Sequence, residues 1–291
     1  MNSEAAAAAG AGGRPLAGRR ILVTRASDQA PALSRRLAEL GAEVVEAPAI
    51  RLVEPPDWAP LDAALAKLGA YDWIVFTSQN TLPRLLARMS ARGLGLEALR
   101  GRRLAAIGVA TAAGLRGRGL SVAAVAEEFR AEGVVELLAR EPLAGKRILL
   151  PRALVARDVL PETLRRLGAQ VDLAPVYQTV EDPEGAAVAR RALAAGGAGA
   201  PDAVTFTAAS TVGAFLGALR QAGEPALLER LRGMCLASIG PITSDRLRAE
   251  GFAPTVEASP YTVPALVEAL VAHFAAGVAP RPRRAATTED R

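Results

Sequence analysis

Displaced by 127 residues, this 291-residue chain falls on itself: residues 20–54 lie on 147–181 without a gap, with 15 identities in 35 positions. Arg20, Ile21, Leu22, Arg25 and Ala26 meet Arg147, Ile148, Leu149, Arg152 and Ala153, and Leu33, Leu37, Gly41, Val44 and Pro48 also meet their own kind. An offset of 130 sets the run Tyr71 to Thr77 over Pro201 to Thr207, sharing Asp, Phe and Thr. An offset of 132 sets Ile107-Gly108 and Thr111 over Ile239-Gly240 and Thr243. The chain is a duplicated unit, and any fold it adopts must be built twice.

Each copy alternates short apolar runs with helical spacing. Ile21 to Thr24 is β-rich; Leu33, Leu37 and Leu40 then repeat at helical intervals and stop at Gly41, a residue suited to the position after a helix; Val44 to Ile50 resumes extended structure. Trp73 to Phe76 precedes a helix over Thr81 to Arg92, and Leu104 to Ile107 precedes one over Ala110 to Arg118. Strands separated by single helices predict parallel sheets with helices on both faces. The expected fold is therefore α/β, with two similar doubly wound parallel-sheet domains joined by a two-stranded extended linker.

Composition narrows the chemistry. Apolar residues make up 51% of the chain and aromatics 4%, so Ala, Val and Leu must form the cores. No apolar run reaches the roughly 18 residues of a membrane span and no signal-peptide pattern opens the chain, which predicts a cytoplasmic protein without membrane contact. One cysteine, Cys235, and one histidine, His273, exclude a disulfide framework and weaken metal and triad chemistry; Cys235, preceding a strand over Leu236 to Ile239, reads as a small buried hydrophobe and His273 as a histidine on the surface or at the stripe edge of the last helix. The formal charge of +5 is partly carried by the C-terminal arginines and is otherwise dispersed among acids. That suits small anions rather than nucleic acid. Residues 1–17 and 276–291 lack apolar periodicity and predict disordered tails.

In an open parallel sheet, ligands bind beyond the carboxyl ends of the strands, where the next helix presents unpaired N–H groups and its positive dipole end. Those points carry Thr24 and Arg25; Thr77, Ser78, Gln79 and Asn80; Gly108 and Thr111; Arg152; Thr207, Ala208 and Ser210; and Gly240 and Thr243. Helix capping accounts for any one of them taken alone. Their recurrence in both halves points instead to an anion-binding site. No strand leads into a dinucleotide fingerprint or a P-loop. Tyr177 breaks the duplication: it stands where the first half has Ile50, beside a retained Ala-Pro pair, and is a candidate acid or hydrogen-bond donor as well as a candidate packing residue.

Taken in order, Ile21 to Arg25, Phe76 to Asn80, Ile107-Gly108 with Thr111, Leu149 to Arg152, Pro175-Val176-Tyr177, Phe206-Thr207, Ile239-Gly240 with Thr243 and the closing Ser259-Pro260-Tyr261-Thr262 resemble the uroporphyrinogen-III synthase family over residues 18–275. The resemblance implies a hydro-lyase of tetrapyrrole and heme biosynthesis that closes hydroxymethylbilane into uroporphyrinogen III, inverting the last pyrrole ring and expelling water. It implies no metal and no organic cofactor, a monomer, and transient hand-over of substrate from hydroxymethylbilane synthase. It divides the chain into one domain of 18–50 plus 180–275 and another of 54–174, with segments 46–56 and 173–183 as the crossovers. It makes Tyr177 the catalytic donor, and it adds Thr262 to the strand-end residues above as substrate contacts. One position departs from the family: Ala208 stands where Ser is usual, leaving the contact to backbone N–H or to Ser210. From the residues alone, a sugar transferase or a hinged anion-binding protein stays open, although no carboxylate base stands at a strand end for the former and no signal peptide for the latter.

Overall fold

A computed structural model of the chain describes residues 13–126, 131–139 and 141–276. Two compact units divide it, one formed by the chain up to Arg51 and from Val180 onward, the other by Leu52–Thr179. The first unit contains β1 (Arg20–Val23), α1 (Ala30–Glu39) and β2 (Glu43–Glu46), and the chain then leaves it along β3 (Ile50–Val53). The second contains α2 (Ala59–Ala66), β4 (Trp73–Phe76), α3 (Thr81–Ala91), β5 (Arg103–Ile107), α4 (Val109–Arg116), β6 (Ala124–Ala126), α5 (Ala131–Leu138), β7 (Arg147–Ala153) and α6 (Val159–Arg166). The long β8 (Gln170–Glu181) returns the chain to the first unit for α7 (Pro183–Ala194), β9 (Ala203–Phe206), α8 (Ala209–Gln221), α9 (Pro225–Arg232), β10 (Cys235–Ser238), α10 (Pro241–Ala249), β11 (Val256–Glu257) and α11 (Val263–Ala275).

The first sheet runs β2-β1-β9-β10-β11, parallel throughout. Counted along the chain this is the order 2-1-3-4-5 of a doubly wound sheet, whose direction of winding reverses between β1 and β9. The second sheet runs β8-β7-β4-β5-β6, again parallel, with β3 added beyond β8. Under the sequence offsets β7 is the counterpart of β1, β8 of β2, β4 of β9 and β5 of β10. The second sheet therefore has the same spatial order, entered at a different strand, and its winding reverses between β7 and β4.

Side-chain alternation explains the two-faced packing. On β1, Leu22 joins Val204 and Phe206 against α7, α8, α9 and α10, whereas Ile21 and Val23 face α1 and α11. On β4, Ile74 and Phe76 pack on α2, α3 and α4, whereas Trp73 and Val75 pack on α5 and α6. Strands buried on both faces read as the continuous apolar runs seen in the sequence. The helix stop at Gly41 has a steric cause: its φ is +94°, and a Cβ there would lie 2.5 Å from the Arg14 Cβ. Its counterpart Gly168 has φ +87°.

A matched pair of carboxylates fixes the amino ends of the central strands. Asp202 accepts from the Arg20 N–H at 2.8 Å and returns its own N–H to the Arg20 carbonyl; Asp72 does the same with Arg147, also at 2.8 Å. A basic side chain backs each, Arg19 on Asp202 and Lys146 on Asp72. These positions, 19 with 146, 20 with 147 and 72 with 202, are duplicates.

Three expectations need correction. The tail over 1–17 is too long, because Leu16 is fully buried beside Leu33 and Leu37 and donates its N–H to the Leu40 carbonyl; residues 1–12 and 277–291 lie outside the described residues. Extended structure does not run unbroken from Val44 to Ile50: β2 ends at Glu46, and Ala47-Pro48-Ala49 separates it from β3. Pro48 has no N–H to offer a ladder, and its carbonyl approaches Gly185 so closely that a Cβ there would be 2.0 Å away. Cys235 opens β10 rather than preceding it, and burial pushes its thiol up to about 12.

Candidate functional site

Every residue singled out at a strand end lies where its strand meets the following helix, so each unit carries its candidates on the carboxyl side of its own sheet. In the first unit, Thr24 and Arg25 follow β1, Thr207 and Ala208 follow β9, and Gly240 follows β10. The hydroxyl of Thr24 is turned inward, donating at 2.7 Å to the Thr205 carbonyl, with the residue fully buried. It ties β1 to β9 at the reversal point and offers no side chain to a ligand. Arg25 donates through Nε to Gln29 at 3.2 Å, and burial lowers its pKa, with Asp28 acting in the opposite sense.

Ala208 caps α8 without a side-chain oxygen; its carbonyl accepts from the Thr211 hydroxyl at 2.7 Å, and Ser210 stands exposed in the first turn. The first N–H groups of that 13-residue helix have no intrahelical acceptor, which leaves backbone as the anion donor where Ser is absent. On α10, Pro241 removes one such N–H, while Thr243 is buried against the helix and Ser244 shares a 2.6 Å hydrogen bond with Ser238. Thr262 is a helix cap, accepting from Ala265 N–H at 3.3 Å. Tyr261, which the sequence offers only within the closing motif, becomes a further candidate: a Cβ on Gly240 would lie 2.9 Å from its ring, and the residue is exposed at this strand end. Its rarity, one of three tyrosines, is the available signal.

In the second unit, Thr77 and Ser78 are half-buried after β4, Gln79 is exposed and Asn80 begins α3. The Ser78 hydroxyl accepts from Asn80 N–H at 3.2 Å, and the Asn80 carbonyl accepts from Arg84 at 3.2 Å. Gly108 takes φ +81° at the start of α4, a conformation that favours glycine, and Thr111 is buried in the first turn. Arg152, at the end of β7, is nearly buried and ion-paired to the exposed Asp158 at 2.9 Å. Arg25 and Arg152 are duplicates with different partners, a neutral amide and a carboxylate.

Tyr177 owes its placement to a register shift. Along β8, Ala174 and Val176 face α3 while Val171 and Leu173 face α6, so strict alternation would send Tyr177 toward α6. The pairing with β7 slips between Arg152 and Ala153, so that Arg152 stands opposite Pro175 but Ala153 opposite Tyr177. This bulge brings Tyr177 onto the Val176 face, where it is 7% exposed and the Arg84 guanidinium lies 5.3 Å from the ring centroid. No hydrogen bond to its hydroxyl occurs among the described residues.

Each unit thus presents helix N-termini, hydroxyls and one arginine at the reversal of its sheet, and the second adds a phenol turned by a bulge. Among the described residues no group of three or more His, Cys, Asp or Glu could hold a metal ion. No described helix is long and apolar enough to cross a membrane.

The family model described as "Uroporphyrinogen-III synthase HemD" matches residues 31–268. A uroporphyrinogen-III synthase of Synechococcus elongatus is 30% identical over 261 residues, covering 88% of this chain and 96% of that protein. In fold, the chain resembles a mutant uroporphyrinogen III synthase of the extreme thermophile Thermus thermophilus, with TM-score 0.64 and 22% identity over 89% of this chain and all of that one. It also resembles the Helicobacter pylori enzyme, with TM-score 0.56 and 20% identity over 88% of this chain and 99% of that one. The chain belongs to the uroporphyrinogen-III synthase family, the cyclising lyases of tetrapyrrole biosynthesis.

Proposed function

We propose that this chain converts hydroxymethylbilane into uroporphyrinogen III, with Tyr177 as proton donor and the strand-end N–H groups and hydroxyls as grips for the substrate's carboxylates. The observation that carries the reading is the bulge that turns Tyr177 onto the α3 face, with the Arg84 guanidinium 5.3 Å from its ring, on the strand that pairs with β7. The pyrrole nitrogen of the ring that bears the hydroxymethyl group pushes out the hydroxyl, which leaves as water once the phenol gives it a proton. A phenol is protonated at neutral pH, as this step requires. The resulting azafulvenium cation, its ring N–H retained, is attacked by the substituted carbon of the last ring; the spiro intermediate fragments and recloses with that ring inverted, and the proton lost on rearomatisation restores the phenol. Most of this reactivity resides in the substrate, so the protein acts chiefly by positioning, an effect that can lower a barrier by about 7–11 kcal/mol.

The chain is further proposed to act as a cytoplasmic monomer that receives its unstable substrate from hydroxymethylbilane synthase. It is also proposed to need no metal, so that turnover survives exhaustive chelation and dialysis; activity lost and then restored by one metal would overturn that. The decisive experiment is incubation of the purified chain with freshly made hydroxymethylbilane and separation of the product isomers. The asymmetric isomer is expected, and the symmetric isomer alone would refute the reading.

A further inference from the structure

The duplicated units differ sharply in one short loop. After β1 the chain reads Ser27-Asp28-Gln29; at the equivalent place after β7 it reads Leu154-Val155-Ala156. The alignment holds across the loop, because the next core residues, Leu33 and Leu160, are both buried. In the second unit the loop's apolar side chains face solvent: Leu154 is 41% exposed, Val155 is 88% exposed and Val159, just beyond, is 47% exposed. Burial of the core gains nothing from them there. Nor is the loop loose, since it is braced at both ends. Leu154 donates its N–H to the Tyr177 carbonyl at 2.8 Å, and the Arg152–Asp158 ion pair spans the loop at 2.9 Å. An apolar surface is thereby held at the carboxyl end of β7, one of the two strands between which the sheet's winding reverses, and tied to the Tyr177 backbone.

We propose that the Leu154–Val155 loop is the apolar rest for the pyrrole rings of the substrate, while the polar groups around it take the carboxylates. The proposal builds on the function given above and assigns side chains to that site. A linear tetrapyrrole is apolar along its ring faces and anionic at its edges. The second unit offers that combination, with aliphatic side chains following Arg152 at the end of β7 and α3 starting at the end of the neighbouring β4, whereas the first unit carries polar residues at the matching loop. Contact with a ring face also disfavours small polyanions that carry the same charges without rings, so this loop is where discrimination arises.

The test is the double variant Leu154→Ser with Val155→Thr, both changes being at solvent-exposed positions that leave the core intact. Uroporphyrin III, a stable ring-containing polycarboxylate, serves as the binding probe, with citrate as the ring-free competitor. The variant is expected to bind uroporphyrin III about 10-fold more weakly and to show a KM for hydroxymethylbilane raised by a similar factor, with kcat within about twofold and citrate inhibition unchanged. Leu154→Met with Val155→Ile should restore both values. Unchanged affinity and KM in the polar variant would overturn the proposal even where the parent makes the asymmetric isomer. A parent that binds uroporphyrin III through this loop but makes no asymmetric isomer would instead sink the function reading and leave the loop standing. Failure of the parent to bind the probe, or sedimentation showing a dimer that the polar variant abolishes, would also overturn it, the latter by making a second copy the occupant.

Discussion

Tyr177 separates two explanations for a buried aromatic ring, packing and proton donation. Tyr177→Phe keeps the ring under Arg84 and among Val176 and Ala174, so thermal unfolding should move little. If the hydroxyl protonates the leaving group, turnover of hydroxymethylbilane falls by about 10- to 1000-fold. A rate within about twofold of the parent would reduce Tyr177 to a packing residue. The candidate was legible in the sequence because duplication makes an asymmetric residue visible; the bulge that aims it was not, since Pro175-Val176-Tyr177 reads as an ordinary β-rich run. Leu16 shows the opposite failure. Its neighbours in 1–17 are mostly Ala, Gly and charged residues, and one apolar residue gives no periodicity, yet it fills the space between α1 and β1. Leu16→Ala should cost about 2–5 kcal/mol in denaturant unfolding; a change below about 0.5 kcal/mol would mean that the site collapses or that the contact is dispensable.

At the level of elements, the strand ends do double duty. The same residues that stop a strand and start a helix are those that satisfy or expose N–H groups, so capping and ligand binding could not be told apart from spacing. The hydroxyls of Thr24 and Thr262 are taken up by backbone groups and Thr243 is buried, while Ala208 and Gly108 open helices with backbone free of a capping side chain. The Asp72 clasp on β7 and β4 yields a pH prediction. Its carboxyl is held below the ordinary carboxylate range first by the Arg147 N–H and then by Lys146. A depressed native pKa means that the clasp contributes stability above the unfolded value, near pH 4, and loses it as pH falls through the lower native value. Asp72→Ala should therefore lower the melting temperature at pH 7, and the gap from the parent should shrink progressively below about pH 4. A gap that stays constant down to pH 2 would assign the loss to strand geometry rather than to charge.

For the whole molecule, the offsets of 127, 130 and 132 already state which strands correspond, and the structure shows that they correspond in order as well as in sequence. What spacing alone could not reveal is that β1 pairs with β9, across some 180 residues, because parallel pairing leaves no local trace and the two units would have been equally legible as sequential domains. The long-range pairing decides which strand ends share a surface. It places the end of β1 beside the end of β9 in one sheet, and β10 follows, so that Arg25, Ala208 and Gly240 belong to one surface although they are far apart in sequence. Gly240 tests whether that surface governs the outcome of the reaction. Hydroxymethylbilane closes without catalysis to the symmetric isomer, because attack by the unsubstituted end needs no spiro intermediate. Gly240→Val would drive a side chain against the Tyr261 ring and to 3.3 Å from its Cβ, so the exposed Tyr261 must shift, and thermal unfolding of the variant checks that it folds. It should slow formation of the asymmetric isomer while leaving spontaneous closure untouched, and the proportion of symmetric product should rise steadily as the variant is diluted. Full rate and isomer purity in this variant would remove the β10 end from the site, while leaving the Tyr177 assignment, which rests on the other unit, to stand or fall on its own measurement.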